Sequence, residues 1–268
     1  MDVPFDRERN AAEAFQSDVM NVLQVPFVHE LFTVLKGYDQ FLAVGWREVR
    51  QNLLTYEWKR GSDRLRHPEI DANIPVIDWG TYYKRPVIAK IRSVVDTFNF
   101  VNPKLLLLTT AWYESLAGRG ARGTGKTKGT IKPGFVKNTG ELENVDLLDV
   151  PEPIRSLLEE IASRHGHHQP AVDYRALSRF PQFLRTCWVH LRDYVPSRNY
   201  HELRAQLLSE ASEQLNHLPH PVDITVNKLA AEHEPVQIAG MIGIVSLYRN
   251  MLADCLIDGE YFRRILIS

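Results

Sequence analysis

Several groups of residues in this chain have types and spacings that chemistry could use. Gly120-Ala121-Arg122-Gly123-Thr124-Gly125-Lys126-Thr127 satisfies the phosphate-loop pattern G-x-x-x-x-G-K-[ST] letter for letter. That pattern holds phosphate only between a strand and a helix, where backbone N–H groups converge. Here the preceding segment, Pro103 to Leu116, reads as a helix, and Gly129-Thr130-Ile131-Lys132-Pro133-Gly134 starts one poorly. We assign the match to a basic, glycine-rich linker. His165, His167 and His168 are spaced as metal ligands can be, with His217 and His220 further on. A zinc site wants three or four converging ligands, and no cysteine or glutamate is spaced to complete one. A cluster at a helix C-terminus, favoured by the helix dipole, explains them, and no metal is expected. Cys187 and His190 share a helix near Trp188. A thiol nucleophile is conceivable there, but Cys187 lies on an apolar face, and a buried thiol is inert. Asn102 precedes Pro103, and Asp173 precedes Ala176 and Leu177. Read alone, both are helix caps, each worth about 0.5–2 kcal/mol. Asn102 would cap the helix that runs toward Ser115.

The elements that position these residues are helical. In Phe41–Leu42–Val44–Gly45–Trp46–Val49–Leu53 the apolar positions recur three and four apart, as they do in Leu203–Leu207–Leu208–Ala211–Leu215. That spacing makes one wet and one buried face. Alternation with period two, bounded by hairpin turns, is scarce. Pro103, Pro153, Pro181 and Pro235 each precede an apolar-periodic stretch, which suits the first turn of a helix. The stretch from Gly118 to Pro151 is rich in Gly, Lys and Thr and reads as an exposed linker. The expected organisation is a first helical unit over 1–117, a linker over 118–150 and a second unit over 151–268.

The halves resemble each other. A shift of 142 positions places Gln40-Phe41-Leu42 on Gln182-Phe183-Leu184, Trp46 on Trp188, Arg50 on Arg192 and Leu65 on Leu207. This predicts an all-α fold of two diverged repeats, an intramolecular pseudo-dimer with its ligand site between them.

Composition narrows the function classes. The 268 residues carry 32 Lys+Arg against 33 Asp+Glu, a net charge of -1, so the basic excess of a nucleic-acid binder is missing. Tyr56, Trp58, Tyr82 and Tyr83 therefore read as packing and surface aromatics rather than a base-stacking platform. Two cysteines make no disulfide framework. Met1 to Asn10 is not a signal peptide, and apolar runs such as Leu105 to Leu108 are too short to span a bilayer. The expectation is a cytoplasmic protein with no membrane partner.

Three segments resemble the DehI-type 2-haloacid dehalogenases: Gln24-Val25-Pro26-Phe27-Val28 with the Phe41…Trp46-Arg47 helix after it, Phe98-Asn99-Phe100-Val101-Asn102-Pro103-Lys104-Leu105-Leu106-Leu107, and His165-Gly166-His167-His168-Gln169-Pro170-Ala171-Val172-Asp173 followed by Ala176-Leu177. Gly243…Tyr248-Arg249 is similar too. The resemblance covers most of the chain, least of all the linker. It implies an all-α pseudo-dimer of two repeats and hydrolysis of a carbon–halogen bond at C2 of a short 2-haloalkanoate. Asp173 would activate a water that attacks C2 directly, without a covalent ester, and Asn102 would help hold that water. Phe27, Ala171, Val172 and Tyr248 would line the substrate pocket. Phe27 stands where the family implies tryptophan and Val172 where it implies serine, which leaves substrate size and preference open. Such a displacement needs no metal or organic cofactor. The partners implied are a small haloacid and water, and family members imply a homodimer. The other reading is a helical homologue that binds a small carboxylic acid or a protein partner without turning it over.

Overall fold

The computed structural model describes residues 4–136 and 145–267, with side chains from residue 11 onward. Gly140 of the expected linker lies outside the described residues. The first half runs α1 (Pro4–Leu23), α2 (Glu30–Val34), α3 (Asp39–Leu53), α4 (Tyr56–Leu65) and α5 (Arg85–Leu116). The second runs α6 (Glu152–His165), α7 (Val172–Leu177), α8 (Pro181–Leu191), α9 (Arg198–Gln214), the single turn α10 (Val226–Leu229) and α11 (Pro235–Ile267). Among the described residues there is no strand, only an isolated bridge between Thr55 and Thr130. The fold is all-α, as the apolar spacing predicts.

Helices α5 and α11 form the central pair. Arg92 donates to the Leu266 carbonyl, Asn99 to that of Gly259, and Arg249 to the Thr110 hydroxyl, so the two run antiparallel. Their apolar positions occupy nearly every face. Leu105 to Leu108 are fully buried, as are Leu256 and Ile257. A helix apolar all round belongs in a core. By length and composition α11 could cross a bilayer, yet 56% of its apolar window is buried inside the protein.

Pro153, Pro181 and Pro235 stand in first turns, as expected. Pro103 does not: it sits in the middle of the 32-residue α5. A proline there removes one backbone hydrogen bond and costs about 3 kcal/mol or more. The helix continues because apolar side chains before and after it, from Ile91 to Leu116, are buried in one core. Burial of even two such side chains offsets that cost, at about 1.5–3 kcal/mol each.

One packing detail recurs. Trp46 on α3 donates its indole N–H to Asp18 on α1 at 2.8 Å, and Trp188 on α8 donates to Glu160 on α6 at 3.0 Å. Donors and acceptors are each 142 positions apart, the shift that aligns the two halves.

Candidate active site

Asp173 lies in the first turn of α7, not at its N-cap, which is Ala171. Its carboxylate is therefore not spent on capping. It accepts a hydrogen bond from Asn102 Nδ2 at 2.6 Å, across 71 positions of sequence. Asn102 is also no cap: it is fully buried in the middle of α5, beside Pro103. The helix N-terminus expected at Asn102 does not exist. The convergence of the two residues does, with one from each half.

Burial dominates the chemistry of the pair. Asp173 is 5% exposed, and desolvation pushes its carboxyl up to about 7. The Asn102 amide and a backbone N–H pull it back down, while the Asp258 carboxylate raises it further. A carboxylate half-ionised near neutral pH is a competent general base. Asn102 Oδ1 is buried with no hydrogen-bond partner. The amide thus donates to Asp173 through its nitrogen and keeps its oxygen unpartnered in the protein interior.

Of the other expected pocket residues, two adjoin Asp173 in sequence and two come from elsewhere in the fold. Ala171, buried, and Val172, half-buried, begin the helix that carries Asp173. Phe27 is half-buried and meets Phe98 edge to face, with ring centres 5.9 Å apart, one turn before Asn102 on α5. Tyr248 on α11 is 1% exposed and meets the His29 ring at 6.3 Å.

His29, Glu30, Gln169 and Arg175 belong to the same region, and the sequence reading missed them. His29 is fully buried, and its Nδ1 accepts from the Leu31 N–H at the start of α2. Burial, aided by the Arg175 charge, lowers it to about 3, so it is a neutral ring at physiological pH. Arg175 pairs with Glu30 at 2.8 Å, and Gln169 donates to Glu30 at 2.7 Å. Segment 27–30 of the first half is thereby tied to segment 169–175 of the second. The Tyr248 hydroxyl is held well above its ordinary value by burial and by Glu30, so it stays a donor.

The histidine cluster begins in the last turn of α6, as expected, and two of its members also meet buried acids. His165 is 2.9 Å from Asp258 and His167 is 3.0 Å from Asp254, two buried aspartates of α11. The signal was present in the sequence: acidic residues four apart within an apolar run must be buried, and a buried charge must be paired. Cys187 is buried, and burial raises its thiol well above the ordinary value, which fits the inert reading.

The phosphate-loop match lacks the geometry that would make it a phosphate site. No helix directly follows it among the described residues, and Glu57 accepts from the Lys128 N–H at 2.7 Å and the Thr127 hydroxyl at 3.0 Å. A carboxylate occupies the donors that a phosphate would need. The linker is mostly exposed, as expected, but it is pinned to the helices: Thr124 donates to the Leu218 carbonyl and Ile131 to that of Leu54. Gly123 has φ +75°, and a Cβ there would lie 2.6 Å from the Pro221 nitrogen, so only glycine passes.

Comparison with known proteins agrees with the all-α fold. The model of the family described as halocarboxylic acid dehydrogenase DehI matches residues 26–159. A configuration-inverting 2-haloacid dehalogenase of Alcaligenes xylosoxydans xylosoxydans is 28% identical over 256 residues, 92% of this chain and 86% of that protein. An (R)-2-haloacid dehalogenase of Pseudomonas putida is 24% identical over 98% of this chain and 91% of its own length. Among solved structures, a D-2-haloacid dehalogenase mutant superposes with a TM-score of 0.84 at 22% identity, covering 96% of this chain and 92% of the other. A D-2-haloacid dehalogenase in complex with L-LA superposes at 0.83 and 23%, with the same coverage. The superpositions speak for the fold and the matched family model for descent: this chain belongs to the DehI family.

Proposed function

We propose that the chain is a hydrolytic 2-haloacid dehalogenase that works without a covalent intermediate. The observation that carries this reading is the 2.6 Å contact between Asn102 and a buried Asp173 whose carboxyl is pushed up to about 7. A water held between Asn102 Oδ1 and the Asp173 carboxylate gives one proton to Asp173. Its oxygen forms a bond to C2 as the carbon–halogen bond breaks, and the electron pair leaves with the halide. The product is a 2-hydroxy acid of inverted configuration, and the proton passes from Asp173 to solvent. Proton transfer of this kind contributes about 10²–10⁴-fold. Positioning and the dry site supply the rest. The relatives are named as 2-haloacid dehalogenases, two of them configuration-inverting. We read the halves, 1–117 and 151–268, as diverged copies of one unit, on the strength of the paired Trp46–Asp18 and Trp188–Glu160 contacts.

Incubation with each enantiomer of 2-chloropropionate is expected to release chloride and yield lactate of the opposite hand. Folded protein that releases no halide from any short 2-haloacid would instead support an acid-binding homologue, the reading to which the substitutions at Phe27 and Val172 would then point. The pH dependence has a definite sign. Only the ionised Asp173 accepts a proton, and its midpoint lies at about 7. Below that pH, kcat/KM is expected to fall about tenfold per unit, and above it to level off. A profile flat from pH 5 to 8 would remove Asp173 as the base.

A further inference from the structure

Helix α7 is six residues long and has no side-chain bond at its N-cap. So short a helix does not hold its own orientation. Three successive residues tie it down, each to a different element. Asp173 accepts from Asn102 on α5, Tyr174 donates to Asp258 on α11 at 2.7 Å, and Arg175 pairs with Glu30 on α2.

The middle tie leads into a buried network. Asp258 is 2% exposed and is approached from three helices: it accepts from Tyr174 of α7 and from Tyr200 of α9 at 3.1 Å, and it pairs with His165 of α6 at 2.9 Å. His165 has a fully buried side chain, and its other nitrogen bonds the Ile161 carbonyl at 2.8 Å. The carbonyl calls for a proton on that nitrogen, and the carboxylate beside the other favours the imidazolium form. Burial opposes that charge, yet Asp258 holds the ring up to about 9. Asp254, one turn earlier on α11, is matched by His167 at 3.0 Å and Arg204 at 3.5 Å.

We propose that Asp258, together with His165 and Tyr174, is the positioning unit for Asp173: it fixes the rotation of α7 and sets the electric field in which the base ionises. This rests on the reading of Asp173 as the general base. The groups facing Asp173 are Asn102 from α5, Asp258 and Cys255 from α11, and Tyr174 and Arg175 from α7 itself. Those facing Asp258 are His165, Tyr174, Tyr200, Tyr194, Cys255 and Asp173, with Asp254 acting on the same His165 and Tyr200. Asp258 carries the negative charge of this set that acts on Asp173, and His165 offsets it.

The two members of the pair must then act in opposite directions. Removing the Asp258 charge relieves Asp173 of a repulsion and eases its ionisation. Removing the His165 charge leaves Asp258 uncompensated and makes that ionisation harder. The test is a carbon-13 NMR titration of the full chain labelled in aspartate carboxyls, with the Asp173 signal assigned by its loss in Asp173→Asn. Asp258→Asn is expected to move the Asp173 midpoint down and His165→Gln to move it up. Tyr174→Phe, which changes no charge, is expected to leave the midpoint in place and lower kcat about ten- to a hundredfold with KM retained. Midpoints that stay put, or that move together, in variants with native circular dichroism overturn the proposal. If Asp258→Asn does not fold, His165→Gln and Tyr174→Phe still decide it. Opposite shifts in a protein that releases no halide uphold the network and reject the hydrolase. Halide release lost in Asp173→Asn, with unmoved midpoints, rejects the network alone.

Discussion

Asp173→Asn is expected to abolish halide release and, above pH 7, to make the protein more stable than the wild type. The loss of activity follows from the loss of a proton acceptor. Asparagine can still accept the Asn102 hydrogen bond, so the site keeps its shape while turnover falls by at least about 10²–10⁴-fold. The gain in stability follows from linkage. The ordinary aspartate value is 3.8, and the folded value is about 7. Between these two the folded protein binds a proton that the unfolded chain has given up, so this residue's contribution to stability declines as pH rises through that window. At pH 8 the buried carboxylate costs the wild type a few kcal/mol, since each tenfold weakening of an acid corresponds to about 1.4 kcal/mol. The neutral amide escapes that cost. Melting temperatures of both proteins from pH 4 to 9 should show a gap in favour of the variant that opens between about pH 4 and 7 and levels off above it. A variant less stable than wild type at pH 8 would mean that Asp173 is ionised comfortably, and the strained-base account would fall.

Gly259→Ala and Gly243→Ala, two identical substitutions on α11, are expected to change stability in opposite directions. A Cβ at Gly259 would meet the side-chain oxygen of Asn99, and Asn99 is itself 3% exposed and donates to the Gly259 carbonyl at 3.1 Å. Asn99 cannot turn away without breaking that bond. Overpacking of a tight core costs about 1–3 kcal/mol, and an orphaned buried amide adds about as much. At Gly243 nothing lies within 4 Å of the added carbon. Alanine there brings only its better helix propensity, roughly 0.5–1 kcal/mol. Urea unfolding of the two variants measures both effects. Activity adds a second readout: Asn99 lies on α5 just short of Asn102, so displacing it shifts the residue that holds the water. Gly259→Ala should lose turnover, and Gly243→Ala should keep it. Equal stability changes at the two sites would mean that the α5–α11 crossing is not closely interlocked.

Several features were legible in the sequence because each is a property of one short segment. The three- and four-residue apolar spacing of 39–53 and 198–214 made helices there regardless of what they pack against. Pro153, Pro181 and Pro235 marked helix starts because a first turn has no use for the missing N–H. The family resemblance brought Asn102 and Asp173 to notice as a pair, although each by itself looked like a cap. Other features depended on surroundings that no local pattern encodes. Pro103 broke the local rule, and only the burial of α5 along its whole length carried the helix through. His165 and His167 read only as part of a helix C-terminus, and their pairing with Asp258 and Asp254 appeared once α11 packed against them. The behaviour of Asp173 is the clearest case. Its residue type was given by the chain, but its basicity comes from the removal of water around it and from an amide 71 positions away. Helix formation follows from contacts between near neighbours along the chain, whereas desolvation and the meeting of distant polar groups exist only once the halves have packed.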